Sequence, residues 1–324
     1  MRRILITPGL KAKADRYAKE LLTSKGRYNA PEQNLIDFKA HIPAKYPKLA
    51  DYIQDLIDNL DTLVKLLPSE FDTWHSILNK WKNAPSYKKA MTTKIRYKKS
   101  RKEFYKHIVD AMRYDRVQSH IMPKYVEEIG IRACVYCNTQ YAVSTDTIKG
   151  RRYAHYELDH FKPKSQYPFL CVSFFNLQPS CANCNKHKSA EDALFGLYTE
   201  DPNGLDAFEF SLDPKSVIDY ENNFKAEDLE ILIDARDKML LSNHEDRFYI
   251  SRLYTRFKKE AAEILWLKRA YNPAFMSQVA DGFSSVFPKH APDVDTLYWG
   301  HDMQPEDVHK RPLNKLAQDL KANL

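Results

Sequence analysis

Two Cys-x-x-Cys pairs, Cys134–Cys137 and Cys181–Cys184, stand on either side of the middle of this chain and constrain its folding more than any other feature. Two residues between thiols let both sulfurs meet one tetrahedral ion from a tight turn, and two such knuckles complete a four-cysteine structural zinc site. The bland alternative is four unrelated thiols, but two such pairs in a reducing compartment favour metal. The N-terminal apolar run is far too short for a signal peptide and no stretch is apolar enough to cross a membrane, so the expected compartment is the cytoplasm, where thiols stay reduced. The fifth cysteine, Cys171, lies in an apolar run and is expected in the core. His155 and His187 are not expected to replace a ligand.

Between the knuckles lies a run rich in Asp, His, Asn and Lys. The texture from Arg151 to His160 is strand-like, Pro163 and Pro168 mark a loop, Val172 to Leu177 is a second short apolar run, and Asn185 to Leu194 can form a helix. The expected order is strand, loop, strand, helix. Asp159 and His160 point to opposite sides of an extended strand. One can hold a divalent metal while the other takes a proton from water, and phosphodiester hydrolysis needs both a base and a cation. Asn185 can add an oxygen ligand. Lys188, three residues on along the same helix, can contact the phosphate. Asn176 on the second strand can hydrogen-bond the base and fix its orientation. Taken alone, an Asp-His pair is an ordinary surface dipeptide; its place between two knuckles sets this one apart.

The pattern Asp159-His160-Phe161-x-Pro163, then Asn176-Leu177, then Cys181-x-x-Cys184-Asn185-x-x-Lys188 resembles the HNH nuclease family. The resemblance covers roughly residues 134–194. It implies a ββα-metal fold with Asp159 as the metal-binding carboxylate, His160 as general base, Asn176 orienting His160, Asn185 as metal ligand in place of the family's last His, and Glu157 near the metal. It also implies catalytic Mg²⁺ or Mn²⁺ beside structural Zn²⁺. More loosely, an HNH unit between helical arms resembles the nuclease subunit of Septu-type anti-phage systems, which works with a separate ATPase.

The arms read as helical. Residues 11 to 117 carry helical spacing: Leu49, Ile53, Leu56, Ile57, Leu60, Leu63, Val64 and Leu67 form one stripe, and Phe71, Trp74, Leu78 and Trp81 a second. Such stripes mark core faces. In the C-terminal arm, Asn243 is expected to cap a helix whose core face holds Phe248, Leu253, Phe257, Ala261, Ile264 and Leu265, and Leu313, Leu316, Leu320 and Leu324 mark a last helix. Asp201-Pro202-Asn203-Gly204 makes a turn that ends the central unit. From Lys80 to Lys106 bases crowd together with Tyr87, Tyr97, Phe104 and Tyr105 interleaved. Within this run Lys94, Arg96, Lys98, Lys99, Arg101 and Lys102 are the candidate nucleic-acid contacts; the bland alternative is a solvated helix face. The net charge of +7 suits an anionic partner, and the scarcity of glycine, at 8 residues, goes with the lack of any P-loop or dinucleotide-binding fingerprint.

The resulting expectation is an α+β, mostly α protein: a helical region at 1–128, a zinc-stapled HNH nuclease unit at 129–200 and a helical region at 201–324. It would be a metal-dependent DNA endonuclease, with an oligomer or hetero-complex plausible from the long arms. A zinc-stapled binding module without catalysis, or a stand-alone restriction enzyme, remain as other readings.

Overall fold

Proline decides where the first helices start. Helices Pro8–Leu22, Pro31–Lys39 and Pro47–Asp58 each open on proline, whose fixed φ and missing N–H suit the first helical turn. The computed structural model describes residues 1–26, 28–81, 83–146, 152–191, 193–270, 273–283 and 294–323. Among these the chain is α+β and mostly helical, with five two-stranded sheets. No helix is long and apolar enough to cross a membrane among the described residues.

The stripe from Leu49 to Leu67 does turn inward, with Leu49, Ile53, Leu56, Leu60, Leu63 and Val64 buried. It is nevertheless split, into Pro47–Asp58 and Leu60–Val64, by Asn59. The Asn59 side-chain amide donates to the Asp55 carbonyl at 2.8 Å, the local competition with the backbone that makes asparagine a poor helix interior residue. The second stripe forms only Phe71–Leu78.

The strands are β1 (Ile4–Leu5), β2 (Lys94–Tyr97), β3 (Ser100–Glu103), β4 (Ser144–Asp146), β5 (Arg152–Ala154), β6 (Glu157–His160), β7 (Leu177–Ser180), β8 (Tyr198–Thr199), β9 (Glu209–Leu212) and β10 (Ile231–Asp234). All pairings are antiparallel except β1 with β8. The β2–β3 hairpin corrects the expectation of helix throughout 11–117. Lys94, Ile95, Arg96 and Tyr97 alternate between exposed and buried or half-buried, a period of two hidden inside the basic run. Lys98 turns the corner with a φ of 51°, where glycine would be the usual signal.

The central order of strand, loop, strand and helix is present, with shifted bounds. The strand-like segment forms two strands, β5 and β6, and Arg151 lies outside the described residues. Val172 to Phe175 is apolar because it is buried, not because it is a strand; its chain makes turns, and β7 starts at Leu177. The helix is Ala182–Lys188, earlier than expected, opened by Cys181 and closed at Ser189, whose φ is 52°.

In the C-terminal arm the cap is Asp237, not Asn243. The Asp237 carboxylate accepts from the backbone N–H groups of Met239 and Leu240 and opens helix Lys238–Phe248. Asn243 sits mid-helix and accepts from the Leu194 N–H at 2.9 Å, joining this helix to the central segment. The expected core face is divided among Lys238–Phe248, Ile250–Tyr254 and Lys258–Ala270. Helix Asn314–Asn323 buries Leu316 and Leu320 against β9; Leu324 lies outside the described residues. One hydrophobic core takes in residues from every part of the chain, among them Tyr52, Phe104, Phe174, Leu197, Tyr254 and Leu316.

Candidate active site

The two knuckles meet. The sulfurs of Cys134, Cys137, Cys181 and Cys184 lie within 4.8 Å of one another, and all four residues are buried. Cys137 Sγ and Cys181 Sγ are 4.0 Å apart, against a tetrahedral edge of about 3.8 Å for a Zn–S bond near 2.3 Å. The donor set and its spacing therefore fit a zinc ion. Local structure explains the convergence. Asn138, at a φ of 52°, returns its N–H to the Cys134 carbonyl at 2.8 Å, which makes the first knuckle a tight turn. Cys181 caps the helix that carries Cys184, its sulfur accepting from the Cys184 N–H at 3.5 Å. Sharing among the other three thiols draws the Cys181 thiol down, and burial pushes Cys134 up. Cys171 is in the core as expected, and burial pushes its thiol up to about 12. His155 pairs with Thr145 at 3.0 Å and His187 packs edge-on to Tyr249.

The C-terminal arm clamps the first knuckle. The Asn138 side chain donates to the Val308 carbonyl at 2.9 Å and accepts from the Lys315 N–H at 3.0 Å. The Tyr254 hydroxyl donates to the Cys137 carbonyl at 2.9 Å, and His244 Nε2 to the Tyr136 carbonyl at 2.9 Å.

Beside the cysteine cluster lies a cleft of about 540 Å³ whose walls include Asp159, His160, Asn185 and Lys188. These four expected residues are brought together by the β6–β7 pair and the helix after it. Asp159 is buried; its carboxylate accepts from the Tyr136 hydroxyl and from Lys188 Nζ at 3.1 Å. Tyr136, the residue inside the first Cys-x-x-Cys, accepts in turn from Gln178 Nε2 at 2.6 Å, so the knuckle, β6 and β7 share one polar network. Lys188 is itself fully buried, and its amine also donates to the His160 carbonyl at 2.7 Å. Lys188, expected at the phosphate, here pairs with a buried carboxylate, whose charge its ammonium offsets.

His160 is held by one bond that decides its chemistry. Nε2 lies 2.9 Å from the Cys171 carbonyl, and a carbonyl only accepts, so Nε2 carries the proton and Nδ1 the lone pair. Burial, with the nearby Lys164 and Lys188 charges, pushes the His160 pKa down to about 3, so the ring is neutral at physiological pH. The Tyr114 ring packs 4.7 Å from it, centre to centre. Asn176 does not bond His160. Its side chain accepts from the Lys162 N–H at 2.7 Å and donates to the carbonyls of Lys162 and Leu170 at 3.1 and 3.0 Å. It staples the loop carrying the Cys171 carbonyl, and so reaches His160 through that loop, because it precedes β7 instead of lying in it. Glu157 is in the cleft wall, 3.5 Å from Gln118 Nε2.

Two cleft residues carry no role in the sequence reading. Lys164 is half-buried with its amine 4.5 Å from the centre of the Tyr114 ring, and it forms no ion pair among the described residues. Burial lowers its pKa, and the Asp159 and Glu157 charges oppose that. Tyr114 donates to the Leu158 carbonyl at 2.6 Å, fixing both itself and β6. Its only sequence signal was an aromatic in a helical stretch, which reads as core.

The described residues thus define an α+β, mostly helical protein with a buried four-cysteine cluster able to hold a metal. In sequence the chain is similar to the Septu protein PtuB of Bacillus thuringiensis, at 35% identity over 66 residues, 20% of this chain and 23% of that protein. The match spans less than a quarter of that relative. No protein-family profile matches the chain, and no solved structure matches it.

Proposed function

We propose that the chain is a metal-dependent endonuclease of the HNH type that hydrolyses DNA, acting in anti-phage defence with a separate ATPase subunit. The observation that carries the chemistry is the neutral His160, anchored at Nε2 and holding its lone pair at Nδ1, in one cleft with Asp159 and Asn185. In this role His160 Nδ1 takes a proton from water as the water oxygen attacks phosphorus and the bond to the departing oxygen breaks. Tyr136 and Lys188 hold the Asp159 carboxylate in place, and the Cys171 carbonyl fixes the imidazole ring. Asp159 and Asn185 offer hard oxygen donors suited to Mg²⁺ or Mn²⁺. A carboxylate has about four acceptor sites, so the bonds from Tyr136 and Lys188 leave capacity for an ion. Such an ion would supply charge neutralisation at the phosphate and the departing oxygen. The defence role rests on the partial similarity to the Septu protein, and the ATPase partner on the looser resemblance of the sequence to Septu-type systems.

Plasmid cleavage by purified protein tests the reading, with and without Mg²⁺ or Mn²⁺ and with His160→Ala alongside. Metal-dependent nicking that His160→Ala abolishes, at unchanged zinc content, supports it. Undiminished nicking by the variant removes His160 as the base. A chain silent both alone and with its partner ATPase favours a binding module instead.

A further inference from the structure

Hairpin β2–β3 carries a concentration of charge that its own fold does not balance. Arg96 and Arg101 face each other directly across the two strands, and both are exposed. Like charges at this position repel and weaken the pair. Lys94 shares their face with Glu103 across from it, Glu103 itself pairing with Lys106, and Lys98 and Lys99 form the turn. Lys94, Arg96, Lys98, Lys99 and Arg101 form no ion pair among the described residues. Lys102, by contrast, is neutralised by Asp110 at 2.6 Å and Lys106 by Glu103 at 2.5 Å.

Of the aromatics interleaved in this run, Tyr105 reaches the cleft, and the other three face the core. Tyr97 packs 5.1 Å from Phe38 and also against His107, and Phe104 and Tyr87 are buried. Single-strand binders present such rings for bases to stack on. Here the hairpin's own ring serves the core, and its exposed face offers no ring for a base to stack on. That is a surface for phosphates held in a regular array, with no provision for unstacked bases. The hairpin leads without a break into helix Phe104–Ala111, whose Tyr105 lines the cleft. A backbone bound along the hairpin is therefore placed beside that cleft.

We propose that the β2–β3 hairpin grips the phosphate backbone of double-stranded DNA, without reading its sequence, and leads the duplex to the cleft. The choice of DNA rests on the nuclease reading above; the preference for a duplex rests on the hairpin itself.

The test is binding of the full zinc-loaded chain to a fluorescent 30-base-pair duplex of mixed sequence and to its single strand, by anisotropy across a KCl series without added divalent ion. The wild type binds the duplex at least several-fold more tightly. The triple variant Lys94→Gln/Arg96→Gln/Arg101→Gln weakens duplex binding tenfold or more near 0.1 M salt, and its log–log salt slope shrinks by up to about 2.7, or roughly 0.9 per lost phosphate contact. Lys11→Gln/Lys19→Gln/Lys48→Gln, which removes the same net charge elsewhere on the surface, keeps the wild-type slope. Equal slopes for wild type and hairpin variant, single-strand binding as tight as duplex binding, or no binding by the wild type would each overturn the proposal. An RNA duplex bound as tightly as DNA would overturn its choice of DNA. The nuclease reading stands or falls separately: His160→Ala should bind as the wild type does, and loss of its cleavage says nothing about the hairpin.

Discussion

Replacing Lys188 by methionine should destabilise the protein far more than a surface lysine would. Methionine keeps most of the apolar stem, so the change isolates the ammonium. That ammonium lies 3.1 Å from Asp159, both side chains being almost fully buried at 1% and 6% exposure, and it also donates to the His160 carbonyl. Stranding one partner of a buried pair costs about 3–5 kcal/mol, and the lost carbonyl bond adds about 1 kcal/mol, so an effect of about 4–6 kcal/mol is expected. An exposed pair would contribute no more than about 1 kcal/mol. Urea unfolding at pH 7.5, with zinc in all buffers, should show the midpoint falling by roughly 1–2 M for a slope near 3 kcal/mol/M. The decisive comparison is Lys188→Met/Asp159→Asn, which removes the stranded charge and should recover about 2 kcal/mol or more relative to Lys188→Met. A midpoint shift under about 0.3 M, or a double variant no more stable than the single one, would refute the buried ion pair as the element that holds the cleft together.

Three further outcomes are expected. His160, His244 and His309 are fully buried, with pKa values pushed down to about 3, 3 and 4 chiefly by burial, and Nδ1 of His244 and His309 has no partner to accept a proton's charge. The unfolded chain takes up protons below about pH 6.5 while the folded chain does not, so stability is full above that pH and falls as pH drops toward 4, by about 2 kcal/mol per histidine at pH 5; urea midpoints from pH 7.5 to 5 should show this, and His244→Gln/His309→Gln should flatten the slope, whereas an unchanged slope would rule these histidines out. Cys184→Ser should reduce zinc from about one ion per chain by metal analysis and lower the melting temperature, since a structural ion's binding energy becomes folding energy; full zinc retention would deny the four-sulfur site. Lys164→Met should cut DNA cleavage by about 10- to 100-fold with little change in zinc content or melting temperature, because Lys164 is a cleft cation that forms no ion pair among the described residues; wild-type cleavage would exclude it from contact with the phosphate.

The sequence was most legible where chemistry demands a fixed spacing. Cysteines with two residues between them can meet one ion, and the fold brings both pairs together. Asp159, His160 and Asn185 were singled out by residue type and order, and the structure brings the three to one cleft. The burial of Lys188 was not legible because a lysine on a short polar helix looks solvated, and only the position of Asp159 makes it a buried counter-ion. Tyr136 and Tyr114 were invisible because an aromatic among apolar residues carries no mark of the hydroxyl's target. The β2–β3 hairpin was missed because its strands are four residues long and its turn lacks glycine, so a period of two could not stand out against the charge. Asn243 showed that a good capping residue type is no cap when Asp237 stands at the true helix start.

Asn138, at the base of the first knuckle, finds its partner Lys315 only 177 residues later in the chain. At 5–20 residues per second a ribosome would take roughly 10 to 35 s to deliver that partner after Asn138 is made. For that interval the knuckle turn exists without its clamp, alongside an already synthesised Asp159 and His160. The same interlock gives the late segment around Val308 to Lys315 a hold on the centre: a nascent chain that has not reached it carries every candidate catalytic residue, and the Tyr254 and His244 bonds, yet lacks both Asn138 bonds on its metal knuckle.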